Sequence, residues 1–136
     1  MKTLTQPQTA IEFLNSEKQP LWIDVEQYVD TDEFFHYRHS CTHGSESFMT
    51  QEFIDWDGFC FDLTLYISFR YDTYREWETR DLPGSYSIEY SDVDVEVRIN
   101  GCERWNEELE ELEDYYMSDE ERKQVEIYFM NNTKLL

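Results

Sequence analysis

"FCFDLTLYISFRY", residues 59–71, alternates without a break. Phe59, Phe61, Leu63, Leu65, Ile67, Phe69 and Tyr71 fall on one side of an extended chain, and Cys60, Asp62, Thr64, Tyr66, Ser68 and Arg70 on the other. A period of two sustained this long predicts a strand with one face in a hydrophobic core and the other in water. Downstream, "YSIEYSDVDVEVRIN" (86–100) repeats the pattern with Tyr86, Ile88 and Tyr90, then with Val93, Val95, Val97 and Ile99. The phase slips by one near Ser91-Asp92, where a β-bulge would keep both halves facing inward. Asn100-Gly101 is expected to end this strand. A polar connection, "DTYREWETRDLPGS" (72–85), turns through Pro83-Gly84 to join the two.

Further out the elements are shorter. "TQPQTAIEFLNS" (5–16) predicts a helix to about Asn15, with Thr5 as cap, Pro7 in its first turn, and Ile11, Phe13 and Leu14 buried. In "LWIDVEQYV" (21–29), Trp22 faces away from Leu21, Ile23 and Val25, as in a strand. "DEFFHYRH" (32–39) fits a strand or a helix. In "WNEELEELEDYY" (105–116), Trp105, Leu109, Leu112 and Tyr116 recur at i, i+4, i+7 and i+11, which predicts an amphipathic helix. Ser118 and Glu121 form a capping box opening a last helix through Met130, stopped at Asn131-Asn132. The expected fold is α+β: an antiparallel sheet of three to five strands, packed on one face by two C-terminal helices and a short N-terminal one. Residues 1–136 form a single domain on this reading, long enough to bury a core without a staple or metal.

Composition restricts function more than it restricts fold. The chain carries 31 Asp+Glu against 11 Lys+Arg, a formal net charge of -20. Such a charge repels nucleic acid and anionic lipid, and favours fast, salt-sensitive association with a basic partner. Aromatic residues make up 17% of the chain, which argues against disorder. Cys41, Cys60 and Cys102 are odd in number and widely spaced, suiting reduced thiols. With no apolar leader at the start and no long apolar run, the expectation is a soluble, cytoplasmic protein.

Two blocks concentrate the acid. Glu107, Glu108, Glu110, Glu111, Glu113 and Asp114 are six carboxylates in eight residues. On a helix they would give about one negative charge per 2 Å of axis, close to the roughly 1.7 Å of duplex DNA. Six like-charged i,i+3 and i,i+4 pairs on that helix would cost on the order of 1 to 3 kcal/mol. The second block, Asp92, Asp94 and Glu96, alternates with valines and projects from one strand face. With Asp119 and Glu120, both blocks are expected to join into one extended anionic surface for a basic protein, by the short connection "NGCER" (100–104).

The other chemistry is weaker. On a helix His36, His39 and His43 would share one face, and on a strand His39, Cys41 and His43 one side; either could assemble a zinc-like ligand set. No second Cys/His pair accompanies them, Arg38 would sit beside the metal, and the polar "THGSES" (42–47) that follows favours solvent-facing histidines near a turn. There is no G-x-S-x-G and no phosphate-cradling glycine loop, so no enzyme, catalytic residue or cofactor is expected.

From about Phe61 to Asn131 the layout resembles short acidic accessory proteins encoded by tailed phages and prophages. The resemblance rests on "REWETRDLPGSYSIEY" (75–90), on "ELEELEDYYMSDEERKQVEIYF" (108–129), and on Glu89, Val93, Val97, Gly101, Leu109, Leu112 and the cap Ser118 to Glu121. It implies accessory phage biology, in which small acidic proteins recur as inhibitors of host defence enzymes, among them DNA mimics and anti-CRISPR or anti-restriction proteins. It carries no catalytic residue. The expected function is therefore binding and inhibition of a basic nucleic-acid-handling host enzyme. The competing readings are an immunity protein that neutralises a basic toxin and a metal-binding protein built on the histidine cluster. Exposed aromatics such as Trp56, Tyr74 and Trp77 leave a homodimer open.

Overall fold

The alternation at 59–71 becomes the core strand of the molecule. In the computed structural model, which describes residues 8–35 and 41–136, the elements run α1 (Ala10–Glu17), β1 (Leu21–Ile23), two 3-10 turns (Val25–Gln27 and Thr31–Phe34), β2 (Cys41–Asp55), β3 (Phe59–Glu76), β4 (Ser85–Asn106), β5 (Glu111–Asp114), α2 (Asp119–Asn132) and β6 (Thr133–Leu135). The fold is α+β. One antiparallel sheet has the order β2-β3-β4-β5, and β1 pairs with β6 in a short parallel ladder.

The inward side chains of β3 divide the core between two sets of neighbours. Phe59, Phe61 and Leu63 pack with Ile99 and Cys102 of β4 under Phe13 and Leu14 of α1 and Val125, Tyr128 and Phe129 of α2. Leu65, Ile67 and Phe69 pack with Val95 under Ile23, Val25 and Phe34. Each fully buried Phe, Leu or Ile contributes roughly 1.5–3 kcal/mol, so β3 touches most of what holds the chain folded. Three helices were expected on this face, and among the described residues two are present.

The missing helix is the correction with most bearing on function. Residues 105–116 form the end of β4, a turn and β5, with Trp105 opposite Leu112 and Arg104 opposite Glu113. The Asn106 side chain accepts from the backbone N–H groups of Glu108 and Leu109, and Glu110 takes a left-handed φ of 51° to close the turn. A helix would have stacked six like-charged pairs along one axis, whereas the hairpin spreads them and pairs Glu113 with a cation.

Other expectations are corrected in detail. The polar stretch after the histidines is no loop: Cys41–Asp55 is a continuous edge strand with all 15 residues in register with β3. Asn100-Gly101 does not end β4. Asp62 faces Gly101 while Leu63 faces Ile99, so Asn100 is absorbed as a bulge, its amide donating to Thr64 Oγ1 at 2.7 Å and Asp62 Oδ1 at 3.3 Å. The strand predicted at 21–29 stops at Ile23, because Asp24 caps a 3-10 turn through Glu26 N–H. Segment 32–39 begins in the second 3-10 turn. The cap of α1 is Thr9, which accepts from Glu12 N–H at 3.2 Å; Thr5 and Pro7 lie outside the described residues.

The bulge expected near Ser91-Asp92 is present. Ser68 faces Asp94 while Arg70 faces Ser91, and Asp92 takes a φ of 48°. Ser118 caps α2 by accepting from Glu121 N–H, but the Glu121 carboxylate does not close the box. It accepts instead from Tyr115 Oη at 2.8 Å and from Ala10 N–H at 3.1 Å, tying the starts of both helices together.

The two sides of the sheet end differently. On the β4 side, α2 reaches over the edge: Glu126 Oε2 accepts from Ile99 N–H at 3.3 Å and Arg122 Nη2 donates to Ile99 O at 2.7 Å. Beyond that point Tyr115 N–H bonds Cys102 O and β5 pairs with β4 from Glu103 to Asn106, while residues 85–98 of β4 have no strand on their outer side among the described residues. On the β2 side the outer strand has no proline, lysine, arginine or register shift, but Glu46 and Glu52 stand on its core side opposite Phe69 and Leu63, and the Glu46 carboxylate accepts from Ser47 N–H at 3.1 Å.

Candidate interaction surface

The outward residues of β2, β3 and β4 form an open sheet face opposite the helices. Asp94 and Glu96 lie on it, opposite Ser68 and Tyr66 of β3. Asp62 belongs to the same face, as do Glu103 and Asp114, which sit directly across from one another on β4 and β5. Asp72 and Glu89 form a second opposed acidic pair toward the far end. Like charges in direct cross-strand register are destabilising. Arg98 and Arg70 are cations of this face; Arg70 reaches Asp92 at 3.5 Å, with both side chains 69% exposed. A pair that exposed adds little stability and leaves the local charge near zero.

The remaining predicted residues lie elsewhere. Glu107, Glu108 and Glu110 occupy the tip of the β4–β5 hairpin, and Glu111 opens β5. Ten residue steps along β4 lead from Glu96 to Asn106, about 33 Å at strand rise, so the hairpin tip lies well away from Asp94 and Glu96, and Asp114 is the member of its block that shares their face. Asp119 and Glu120 sit in the first turn of α2, where the helix dipole favours them. Glu113 is engaged: Asn106 Nδ2 donates to it at 3.1 Å and Arg104 Nη2 at 3.0 Å, and these two donors hold its carboxyl below the usual range. The single extended anionic surface expected from the sequence is thus divided into a sheet face, a hairpin tip and a helix start.

Apolar side chains interrupt the acidic face. Met49, Phe53 and Tyr66 are 62%, 76% and 46% exposed, and Met49 stands opposite Tyr66. Beside Phe53 a hollow of about 320 Å³ is lined by Asp55, Cys60, Asp62, Glu103 and Asp114. Burial, reinforced by the Asp55 carboxylate, pushes the Cys60 thiol up to about 11. Burial likewise pushes Cys102 up to about 12, so both hold their protons at neutral pH. Neither has the lowered pKa of a nucleophilic cysteine. Trp56, expected to be exposed, is half-buried with its ring 5.5 Å from Phe129, while Tyr74 and Trp77 are exposed.

The acidic outward positions of β3 were legible from the period-two pattern, which already places Asp62 opposite the core. Glu103 was missed, and so was its place opposite Asp114, because a helical reading of 105–116 puts the two in no relation to the sheet. His36 and His39 lie outside the described residues. Cys41 and His43 are on the outward side of β2, with His43 opposite Asp72. Among the described residues no three His, Cys, Asp or Glu side chains come together as a metal-ligand set. Among them, too, no helix is long and apolar enough to cross a membrane.

Comparison with known proteins finds no match for this chain among family models, curated proteins or solved structures.

Proposed function

We propose that this chain is an acidic binding protein of the phage or mobile-element kind, which inhibits a basic nucleic-acid-handling enzyme by occupying its nucleic-acid channel. The open sheet face carries the reading. Asp62, Asp94, Glu96, Glu103 and Asp114 share it, and two like-charged pairs are held in direct opposition at a cost to stability. With 31 carboxylates and 11 Lys+Arg, full internal pairing would still leave 31 − 11 = 20 negative charges for solvent or a partner. Glu107, Glu108, Glu110, Glu111, Asp119 and Glu120 extend the field beyond the sheet and steer a basic partner inward. Asp92 and Glu113, each beside an arginine, contribute less.

The test is capture from bacterial lysate on immobilised protein, with duplex DNA as competitor. The wild type is expected to retain nucleic-acid-binding proteins that duplex DNA displaces and that elute between about 50 mM and 200 mM salt. The variant Asp94→Lys/Glu96→Lys/Glu103→Lys is expected to retain none of them. Retention that survives the triple reversal, or that duplex DNA leaves untouched, removes the proposal.

A further inference from the structure

We propose that the free edge of β2 pairs with β2 of a second copy, antiparallel about a two-fold axis at Gln51, making one continuous sheet across two molecules. The edge runs 15 residues without proline, lysine or arginine, and among the described residues no strand lies beside it; its guards are Glu46, whose carboxylate takes up the Ser47 N–H, and Glu52, which Tyr28 and Thr50 hold by hydrogen bonds on the core side. On it stand Met49 and Phe53, two of the exposed apolar residues of the outward face.

The side-chain pattern of β2 is self-complementary in one register. With Gln51 opposite Gln51 of the second copy, Met49 faces Phe53 on the outward side, twice over by symmetry. On the core side Phe48 faces Ile54 and Thr50 faces Glu52, a hydroxyl against a carboxylate. At the ends Ser47 faces Asp55. No carboxylate opposes another, and Tyr66, Met49 and the copy's Phe53 become one apolar row. Neighbouring registers are worse. Centred on Thr50, Phe48 would face Glu52; centred on Met49, Glu46 would face Glu52; centred on Glu52, Met49 would face Asp55. Such an isologous contact closes on itself.

Charge opposes this contact without forbidding it. Each copy carries -20, but Glu52 and Asp55 are the charged residues between Ser47 and Asp55. The acidic hairpin of β4 and β5 lies two or three strands away, about 10–15 Å, comparable to the screening length at 0.1 M salt. Salt therefore strengthens self-association, whereas it weakens binding to a basic partner, so this contact and the proposed function fail independently.

The experiment is sedimentation over a dilution series with salt raised from about 0.15 M to about 1 M. The wild-type mass is expected to move from 16.6 kDa toward twice that value as salt rises. Met49→Lys, at a solvent-facing position, is expected to stay monomeric at every salt concentration. Adding Phe53→Glu to it restores the dimer, because each introduced ammonium then faces an introduced carboxylate. In a Cys41→Ser background, Gln51→Cys is expected to cross-link two copies on mild oxidation, since directly opposed Cα atoms at 4.5–5.5 Å suit a disulfide, while Ser45→Cys is not. A wild type that stays at 16.6 kDa in high salt, or cross-linking at Ser45→Cys equal to that at Gln51→Cys, overturns the proposal.

Discussion

Asp92 shows how a single residue reconciles two halves of a strand. Between Tyr90 and Val93 the inward pattern slips by one, and the chain absorbs the extra residue by placing Asp92 at a φ of 48°. Asp and Asn tolerate the left-handed region because their short polar side chains bond locally, whereas a β-branched residue meets its own backbone there. Asp92→Asn is therefore expected to leave the denaturation midpoint nearly unchanged, and Asp92→Val to cost about 1–2 kcal/mol. Equal losses in both variants would instead implicate the exposed Arg70 pair. This bulge was legible because large apolar residues mark both phases around it. The bulge at Asn100 was not, since Cys102 and Arg104 occupy the inward positions beyond Ile99 and give no hydrophobic signal.

At the scale of elements, the β4–β5 hairpin is where periodicity misled. Trp105, Leu109, Leu112 and Tyr116 fit a helical stripe, yet Leu109 sits at the turn and Tyr116 is 87% exposed. A stripe argues for a helix only when there is a face to bury it against, and α1 and α2 already fill the inner face here. Asn106 then decides locally by offering its side-chain oxygen to two backbone N–H groups and its amide to Glu113. Asn106→Ala removes all three bonds and is expected to cost about 1–3 kcal/mol. Hydrogen exchange should show the loss as faster exchange at Glu111–Asp114 with β3 unaffected; global acceleration would mean that the hairpin is part of the main cooperative unit.

For the molecule as a whole, self-repulsion works against the core. The excess of carboxylates was legible as composition, but its arrangement was not, because it depends on which strands become neighbours. Asp72 meets Glu89 and Glu103 meets Asp114 only once β3, β4 and β5 are aligned. The melting temperature is expected to rise steadily between about 0.01 M and 1 M salt, as the screening length falls from roughly 30 Å to 3 Å. A flat dependence would show that these contacts are already neutralised by counterions in dilute buffer.

The grip of Arg122 and Glu126 on Ile99 has a consequence for growth. A fibril lengthens by adding strands at both margins of its sheet, and needs each new unit to expose a margin like the one it has just covered. Here α2 holds the outer margin of β4 at Ile99 and β5 pairs it from Glu103 to Asn106, while residues 85–98 stay a margin unlike that of β2, with Asp92, Asp94 and Glu96 where β2 has Met49 and Phe53. A unit joined β2 to β2 would therefore show its neighbours a margin that does not repeat the one just covered, and further growth would need a second, unrelated contact.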